Sequence, residues 1–472
     1  MKNYFIPSVL IGKILFAQAI PDGDWSGTLD VGGIQLTLVL HVDQDEQGKL
    51  RASLDSIEQG IKGIQVDTIQ IEDKTIKFSI EKLKASYEGI YNENEISGKF
   101  TQGGMKAPLI FTRDETANGK ELQRLQHPQP PFPYHTEEVS FKNSAADVIL
   151  SGTLTLPKGK GPFPVTLLIA GSGPCDRDQS GFGHKPFLVL SDHLVRRGIA
   201  TLRFDKRGVE KSTGNYETAT SGDFANDVLA GVEYLKTRKE IQQIGLIGHS
   251  LGGGIAPLVA TNSKDISFLV LMAGPAVSGE EILYEQGVLL QRNLRISEER
   301  IKQDRKLREK VFAIVKQETD YKKVEQKIRT EMEKHFAAVP PDANASGSEG
   351  IAVIHPDHIE EMLKRITTPW FRYFLTYDPG EYLKLIKAPI LALGAEKDLQ
   401  IPPQQNLPVI AKILKEAKHS DYTILKFPRL NHLFQTCKTG AISEYATIEE
   451  TISPTALNAI SDWILKKTDK QI

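Results

Sequence analysis

Residues 248–252 form a segment of chemical interest, because a serine lies at its centre between two glycines. The segment reads Gly-His-Ser-Leu-Gly and joins an apolar run at 244–247, which predicts a buried strand, to a predicted helix over 252–261. A serine on a sharp strand-to-helix turn exposes its hydroxyl oxygen, and the flanking glycines leave room for the close backbone approach that such a turn needs. Ser250 is therefore predicted to be a nucleophile, and the alternative is an incidental serine in a glycine-rich turn.

A serine hydroxyl is a weak nucleophile until a base removes its proton and an acidic group orients that base. Asp398 follows a predicted strand at 390–393, and His432 follows a predicted strand at 423–427. The carboxyl ends of parallel strands meet at one edge of a sheet, which is where α/β sheets place their sites. We therefore predict that Asp398 and His432 complete a catalytic triad with Ser250.

Negative charge that develops on a substrate carbonyl oxygen needs backbone N–H donors. Leu251 is predicted to supply one of them, because it directly follows the nucleophile. The loop at 171–174 reads Gly-Ser-Gly-Pro and follows a predicted apolar strand. Pro174 has no N–H, so the second donor is Ser172 or Gly173, with Ser172 favoured. A tight turn without a catalytic role is the alternative interpretation of this loop.

The elements that must position these residues alternate between strands and helices. The predicted strands lie at 165–170, 199–204, 244–248 and 268–273, and the predicted helices at 187–197, 221–237 and 252–261. A hairpin at 137–156 precedes them, and the strand pattern resumes at 389. Alternation of this kind predicts βαβ units and a mostly parallel sheet flanked by helices. We assign residues 137–276 and 386–472 to this α/β catalytic domain.

Residues 277–385 interrupt the α/β pattern with predicted helices over 280–336 and 358–366. Both ends of the insert lie near the carboxyl edge of the sheet, so it is predicted to fold over Ser250 as a cap. Its predicted pocket wall, a substrate-binding surface, consists of Trp370, Phe371, Phe374 and Tyr377. The spacing of these aromatic residues places several on one helix face. The alternative is that they only bury the cap against the rest of the protein.

The N-terminal part of the chain has a different texture. Residues 20–115 contain short alternating strands separated by turn residues, which predicts a small antiparallel β-sandwich or partial barrel. Residues 116–136 are polar and then proline-rich, and are predicted to be a linker. Residues 1–19 have the pattern of a signal peptide, although Pro7 and Lys13 interrupt its apolar core. We expect export to the periplasm or the medium; the alternative is a buried first strand of a cytoplasmic protein.

The composition narrows the remaining classes of function. The chain has 472 residues, of which 40% are hydrophobic and 25% charged, and its formal net charge is −2. Near-neutral charge gives no electrostatic reason to expect nucleic acid, and no stretch is typical of a membrane span. Cys175 and Cys437 are too few for a disulfide framework, and they are expected to be free thiols, with a single disulfide as the alternative. His355 and His358 make only a weak metal pair, so no metal and no cofactor are predicted.

Residues 137–275 and 385–467 resemble the α/β-hydrolase superfamily. The motifs that carry the resemblance are 171–174, 176–178, 203–208 with Ser212, 248–252, Asp398 and His432. Together they look like those of bacterial carboxylesterases that have a β-rich N-terminal domain and are often described as serine aminopeptidase-like. The resemblance implies the α/β-hydrolase fold and the hydrolysis of short-acyl esters. Cys175 is a departure from it, because such proteins often have asparagine there.

Three other residues compete with the predicted triad. Glu396 is the alternative acid, but the Ile-Pro-Pro that begins three residues after Asp398 resembles the usual continuation of the acid loop. His419 ends a predicted helix at the wrong edge of the sheet. His249 adjoins Ser250, but neighbouring side chains on a sharp turn point apart.

Charged residues beside the turn are expected to be structural. Asp205 and Arg207 lie in one loop, and such residues usually form an ion pair that holds loops together. Arg177 belongs to a similar charged cluster, with contact to an anionic substrate group as its alternative role.

The predicted function is that of a serine carboxylesterase that cleaves short-to-medium acyl esters through an acyl-enzyme intermediate. Its predicted partner is a small-molecule ester, and the pattern indicates no oligomeric state. One alternative is a serine peptidase or aminopeptidase on short peptides. Another is a ligand-binding protein on a hydrolase scaffold, although such a protein would not need all three triad positions.

Overall fold

The computed structural model describes residues 22–31, 34–45, 47–57, 61–92, 94–102, 105–113, 124–338 and 359–468. The predicted signal peptide at 1–19 lies outside the described residues, and so do His355 and His358. The chain divides into two compact units, with the principal boundary between residues 117 and 118. Each unit has its own sheet and its own core.

The first unit is built on one nine-stranded sheet. Its strands are β1 (Gly23–Val31), β2 (Ile34–Gln44), β3 (Leu50–Ser56), β4 (Ile61–Gln65), β5 (Thr68–Glu72), β6 (Thr75–Ile80), β7 (Ala85–Asn92), β8 (Glu95–Gln102) and β9 (Met105–Arg113). Their order is β4-β3-β2-β1-β9-β8-β7-β6-β5, and β5 to β9 pair antiparallel. Among the described residues this single sheet corresponds to the partial barrel and not to a two-sheet sandwich.

Alternation of apolar and polar residues gives this sheet one buried face. In β6, Ile76, Phe78 and Ile80 are buried, whereas Lys77 between them is exposed. Such alternation is typical of an antiparallel sheet with one solvated face. The buried Tyr87 hydroxyl lies 2.9 Å from Ile96 O and 3.0 Å from Leu109 O and shares its one proton between them, so its burial does not leave the hydroxyl unpaired.

The second unit is built on an eight-stranded sheet. Its strands are β10 (His135–Asn143), β11 (Val148–Leu156), β12 (Phe163–Ile169), β13 (Ala200–Phe204), β14 (Ile241–His249), β15 (Ile266–Met272), β16 (Ile390–Ala395) and β17 (Tyr422–Phe427). Their order is β10-β11-β13-β12-β14-β15-β16-β17. The pairs β10–β11 and β11–β13 are antiparallel, and every later pair is parallel. The predicted hairpin and parallel sheet are both confirmed.

Helices cover both faces of this sheet. They are α1 (Pro186–Arg196), α2 (Ser221–Lys236), α3 (Leu251–Asn262), α10 (Pro403–Glu416) and α11 (Pro454–Thr468). Apolar residues of α2, α3 and α10 pack in one core, and those of α1 and α11 in a second core across the sheet. The unit therefore has three layers, as the sequence predicts.

The insert folds into six helices within the described residues. They are α4 (Gly279–Asn293), α5 (Glu298–Gln317), α6 (Tyr321–Ala338), α7 (Ile359–Ile366), α8 (Pro369–Thr376) and α9 (Gly380–Leu383). Three separate helices thus occupy the region predicted as one long helical stretch. Ser297 caps α5 by accepting a hydrogen bond from the Arg300 N–H, which explains the break between α4 and α5. The insert has its own apolar core, which includes Phe312, Ile328 and Phe371.

The segment predicted as a linker is bonded to the second unit from Arg124 onward. The Arg124 guanidinium donates to the backbone oxygen of Ala446 at 2.7 Å. The Gln126 side chain accepts the Thr451 N–H at 2.5 Å and donates to the oxygen of Ile452 at 2.7 Å. This part of the chain is therefore packed structure and not a free tether. No described helix is both long and apolar enough to cross a bilayer.

Candidate active site

Ser250 lies between the end of β14 and the start of α3 in a strained backbone conformation. Its φ is +55° and its ψ is −121°, a combination that residues with a Cβ rarely adopt. The Ser250 N–H donates to Met272 O at 2.9 Å, and its carbonyl oxygen accepts the Gly253 N–H at 2.9 Å. Strain of this kind persists only where neighbouring structure fixes it, and it is common at functional sites.

The glycines of the turn are required by close backbone approach. A Cβ on Gly248 would lie 2.2 Å from Gly252 O, and a Cβ on Gly252 would lie 2.0 Å from Ile169 O. Both distances are far below van der Waals contact. The two glycines therefore allow α3 to start directly against β12, which holds the serine at the carboxyl edge of the sheet.

Asp398 and His432 are joined by a short hydrogen bond. Asp398 Oδ2 lies 2.7 Å from His432 Nδ1, and the two residues are only 2% and 4% exposed. The other oxygen, Oδ1, accepts the N–H groups of Gln400 and Ile401 at 2.8 Å each. These bonds fix the carboxylate as the acceptor for an Nδ1–H proton, so Nε2 is left to act as the base.

The competing residues are engaged elsewhere. Glu396 accepts the Arg429 N–H at 2.8 Å and so closes a turn. His419 Nε2 lies 3.1 Å from Ala388 O, just before β16 begins. The structure thus brings Asp398 to His432 and leaves both alternatives outside the site.

His249 links the nucleophile turn to the loop that carries His432. Its Nε2 lies 2.9 Å from His432 O, its Nδ1 lies 2.8 Å from the Gln179 side-chain nitrogen, and its ring centroid is 4.8 Å from that of His432. Burial lowers the pKa of His249 to about 3, so the ring is neutral. Nε2–H therefore donates to His432, and Nδ1 accepts from Gln179. The sequence predicts no role for His249, although a polar ring at the end of an apolar strand is a signal of one.

The loop at 171–174, the oxyanion loop below, lies against the nucleophile. A Cβ on Gly171 would be 3.4 Å from Ser250 Cβ, and the Gly171 N–H is already donated to Gln179 Oε1 at 2.9 Å. Within the described part of the chain, the N–H groups of Ser172 and Leu251 have no acceptor. No acceptor is found there for the Gly173 N–H either, so both predicted loop donors stay open.

Lys206 lies beneath the oxyanion loop. Its ammonium donates to Gly171 O, and also to Gly173 O at 3.0 Å. Its backbone N–H donates to Cys175 O at 3.3 Å. Lys206 lies in the motif at 203–208, but the sequence predicts no role for it, because spacing along the chain does not indicate which backbone oxygens the side chain reaches.

The predicted pairing of Asp205 with Arg207 is wrong, although both residues are structural. Asp205 binds the Arg177 guanidinium at 2.7 Å, and Arg207 binds Asp227 at 2.7 Å. Arg177 also reaches Glu138 at 2.7 Å, and these two carboxylates raise its pKa further above its usual range. Arg177 is thereby committed to two ion pairs between strands and loops, which accounts for it without a substrate.

The four cap aromatics divide into two kinds. Trp370 and Phe374 stack with centroids 5.0 Å apart, and both are half-buried against the α/β core. Phe371 is 1% exposed and packs on Phe312 inside the cap, so its placement on a pocket wall is corrected. Tyr377 is also buried, and its hydroxyl donates to Gly254 O at 2.6 Å. That bond ties the cap to the helix after the nucleophile, which makes Tyr377 a packing residue.

The two cysteines do not form a disulfide. Cys175 and Cys437 are both free thiols, and the Cys175 Sγ lies 3.3 Å from Ser172 O. Burial raises the pKa of both thiols, so neither is an activated thiolate. Among the described residues, no three His, Cys, Asp or Glu side chains are grouped as metal ligands would be.

The sheet order, the strained serine turn and the Asp–His pair are those of the α/β-hydrolase fold, which is the fold that the resemblance implies. Residues 185–331 match the family model described as serine aminopeptidase, S33. The chain is 29% identical to esterase EstD of Thermotoga maritima over 279 residues, which are 59% of this chain and 63% of EstD. It thus spans somewhat less than two thirds of that curated relative.

Solved structures are also similar to this chain. An esterase from Pyrococcus furiosus is 15% identical with a TM-score of 0.43, over 71% of this chain and 91% of its own. The proline iminopeptidase of Mycobacterium smegmatis is 13% identical with a TM-score of 0.40, over 70% and 98%.

Proposed function

We propose that the protein is a serine carboxylesterase that cleaves short-to-medium acyl esters. The observation that carries the proposal is the 2.7 Å bond between buried Asp398 and His432, whose carbonyl oxygen is bonded to His249, the residue before the strained Ser250. The similarity to esterase EstD supports it. The reaction is acyl transfer from an alcohol to Ser250, and then from Ser250 to water.

The first half of the reaction uses all three triad residues. Ser250 Oγ attacks the ester carbonyl carbon while its proton passes to His432 Nε2. Asp398 holds the proton on Nδ1 and stabilises the imidazolium that forms. The carbonyl oxygen becomes an anion, which the N–H groups of Ser172 and Leu251 stabilise. The tetrahedral intermediate collapses when His432 gives its proton to the leaving alcohol, and an acyl-enzyme remains.

The second half repeats the chemistry with water. His432 takes a proton from water, and the hydroxide attacks the acyl carbon of the Ser250 ester. The same N–H donors stabilise the second oxyanion, and Ser250 leaves with the proton from His432. The products are a carboxylic acid and the free enzyme. Trp370 and Phe374 of the cap are proposed to contact the acyl chain.

Labelling and turnover together test this proposal. A fluorophosphonate probe should label the wild type, and p-nitrophenyl butyrate should be hydrolysed. Ser250→Ala should lose labelling and turnover, with kcat lower by up to about 10⁶-fold, while its circular dichroism spectrum stays unchanged. A Ser250→Ala variant that keeps a few per cent of the activity would disprove the nucleophile. A wild type that takes up no probe would support the ligand-binding alternative.

A peptidase is the second candidate, because residues 185–331 match a family described as serine aminopeptidase. A peptidase must protonate an amine leaving group and anchor a substrate terminus. An esterase and a peptidase are distinguished by measuring kcat/KM on p-nitrophenyl butyrate and on aminoacyl p-nitroanilides and comparing the two values. We expect the ester to be preferred, and a preference for the anilide would overturn the esterase proposal.

We also propose that the protein is exported, on the pattern of residues 1–19. Mass spectrometry of the protein from its native cells tests this, because export with processing removes those residues. A mature protein that starts at Met1 in the cytoplasmic fraction would contradict it.

A further inference from the structure

We propose that Lys206 is a positioning residue of the oxyanion hole, which fixes and polarises the peptide unit that carries the Ser172 N–H. The inference rests on the proposed function, because it assigns a role in stabilising the anion that the ester reaction forms. It concerns a side chain that reaches the reaction only through the backbone of the oxyanion loop.

The burial of Lys206 is the first observation. The residue is 5% exposed, and among the described residues no carboxylate lies within ion-pair distance of it. Its neighbours in the chain differ, because buried Arg203 pairs with Asp178 and buried Arg207 pairs with Asp227. A buried ammonium without a counter-ion is costly unless other groups solvate it. Such a cost at a single position calls for a specific reason.

The groups that solvate the ammonium are the second observation. The backbone oxygens of Gly171 and Gly173 accept its hydrogen bonds, and the rings of Phe224 and Tyr216 lie 5.0 and 5.9 Å away. These rings offer cation–π contacts that offset part of the lost hydration. The strongest direct contacts of Lys206 are therefore with the oxyanion loop itself.

Because the peptide bond is planar, the bond from Lys206 to Gly171 O also fixes the direction of the Ser172 N–H. In a trans peptide unit the C=O and the N–H point in opposite directions. When Lys206 binds Gly171 O, the N–H of the same peptide unit, which belongs to Ser172, must point away from Lys206. That N–H has no acceptor in the described chain, and Gly171 lies against Ser250. The lysine thus presents a free donor at the nucleophile.

The positive charge of Lys206 has an effect beyond orienting the Ser172 N–H. A hydrogen bond to a cation polarises the C=O, and polarisation along a peptide unit makes its N–H a stronger donor. The Gln179 side chain also holds the loop, through the Gly171 N–H at 2.9 Å, but it is neutral. Lys206 is therefore expected to stabilise the oxyanion more than it stabilises the bound substrate.

The test compares Lys206→Met with wild type in two measurements. We expect kcat on p-nitrophenyl butyrate to fall about 10²-fold, the cost of one lost oxyanion donor, while KM changes less than threefold. The second measurement is the affinity for an aryl trifluoromethyl ketone. Ser250 Oγ adds to its carbonyl carbon, the hydroxyl proton passes to His432, and the ketone oxygen becomes an anion. Its affinity should fall in parallel with kcat.

Arg207→Met is the matched control, because it removes a buried cation one residue away whose bonds go to Asp227. Breaking a buried ion pair is strongly destabilising, so its melting temperature should fall at least as far as that of Lys206→Met. Its kcat should stay within threefold of wild type when both variants are assayed below their melting ranges. Equal losses of kcat in the two variants would overturn the proposal, because the effect would then follow stability.

Lys206→Gln decides the matter if the methionine variant does not fold. The amide offers two N–H donors on a side chain one bond shorter than that of lysine, and it carries no charge. We expect kcat and ketone affinity to fall in parallel, about tenfold, and a loss below threefold in either variant would overturn the proposal. These results differ from a failure of the esterase proposal itself, in which the wild type neither hydrolyses the ester nor takes up a fluorophosphonate.

Discussion

Replacing Asp398 by asparagine tests the site most sharply, because the hydrogen bonds of the carboxylate dictate how the amide would lie. Asp398 Oδ1 accepts two backbone N–H groups at 2.8 Å, from Gln400 and Ile401. An amide must place its oxygen there, since its NH₂ group has no lone pair to accept those bonds. The NH₂ group then faces His432 Nδ1, at the position that Oδ2 occupies at 2.7 Å.

That orientation forces the wrong tautomer on the catalytic histidine. Nδ1 must accept the amide N–H, so the ring proton moves to Nε2, which can then no longer take the proton of Ser250. In a triad enzyme this change lowers kcat by up to about 10⁴-fold, which corresponds to about 5.5 kcal/mol of barrier height. The hydrogen bonds to the two backbone groups survive, so we expect little loss of stability.

The assay is single-turnover acylation of Asp398→Asn with p-nitrophenyl acetate, together with a thermal melt. Glu396→Gln is the control, because that carboxylate closes a turn at Arg429 and does not reach His432. It should keep kcat within about threefold of wild type. If Asp398→Asn lost less than tenfold, or Glu396→Gln were the crippling change, the tautomer argument would be refuted.

Three further outcomes follow from the same contacts. His432→Ala should be as severe as loss of the nucleophile, whereas His419→Ala should leave kcat nearly unchanged, and a comparison of kcat on one ester decides between them. Trp370→Ala should shift the preference between short and medium acyl esters with little change in melting temperature. Phe371→Ala should instead lower the free energy of unfolding by an amount typical of a buried aromatic residue, about 3–5 kcal/mol, and with it the melting temperature. It should also reduce the hydrolysis of all esters alike, and an acyl-length series with melting curves separates the two variants. Because His249 has a pKa of about 3 when folded and 6.5 when unfolded, the unfolded chain binds the extra proton between these values. Stability should therefore fall as pH drops through that window, by about 1 kcal/mol per pH unit, and urea titrations of His249→Asn should show a shallower dependence.

Local patterns were sufficient for the α/β unit. The helix predicted at 252–261 is observed at Leu251–Asn262, and the strand predicted at 390–393 is observed at Ile390–Ala395. These elements have strong apolar runs bounded by glycine or proline, and their type depends little on distant residues. The residues of the proposed triad could be selected for the same reason, because each lies in the loop that follows such a strand.

The parts that could not be predicted depend on contacts between distant residues. Lys206 reaches Gly171, and His249 reaches His432, but spacing along the chain contains no information about either contact. Phe371 shows a second limit, since helix α8 has two buried faces and periodicity alone does not say which one meets the cap core.

The bonds from Arg124 and Gln126 mean that the catalytic unit begins earlier than its first strand. Gln126 holds Thr451, the neighbouring Glu450 binds the backbone of Thr436, and His432 lies on the same loop. A truncated chain that starts at 137 would lack these bonds to the loop that carries His432. A chain meant to retain the native geometry at His432 must therefore start before Arg124, and proteolysis in the proline-rich segment would loosen the active site from outside it.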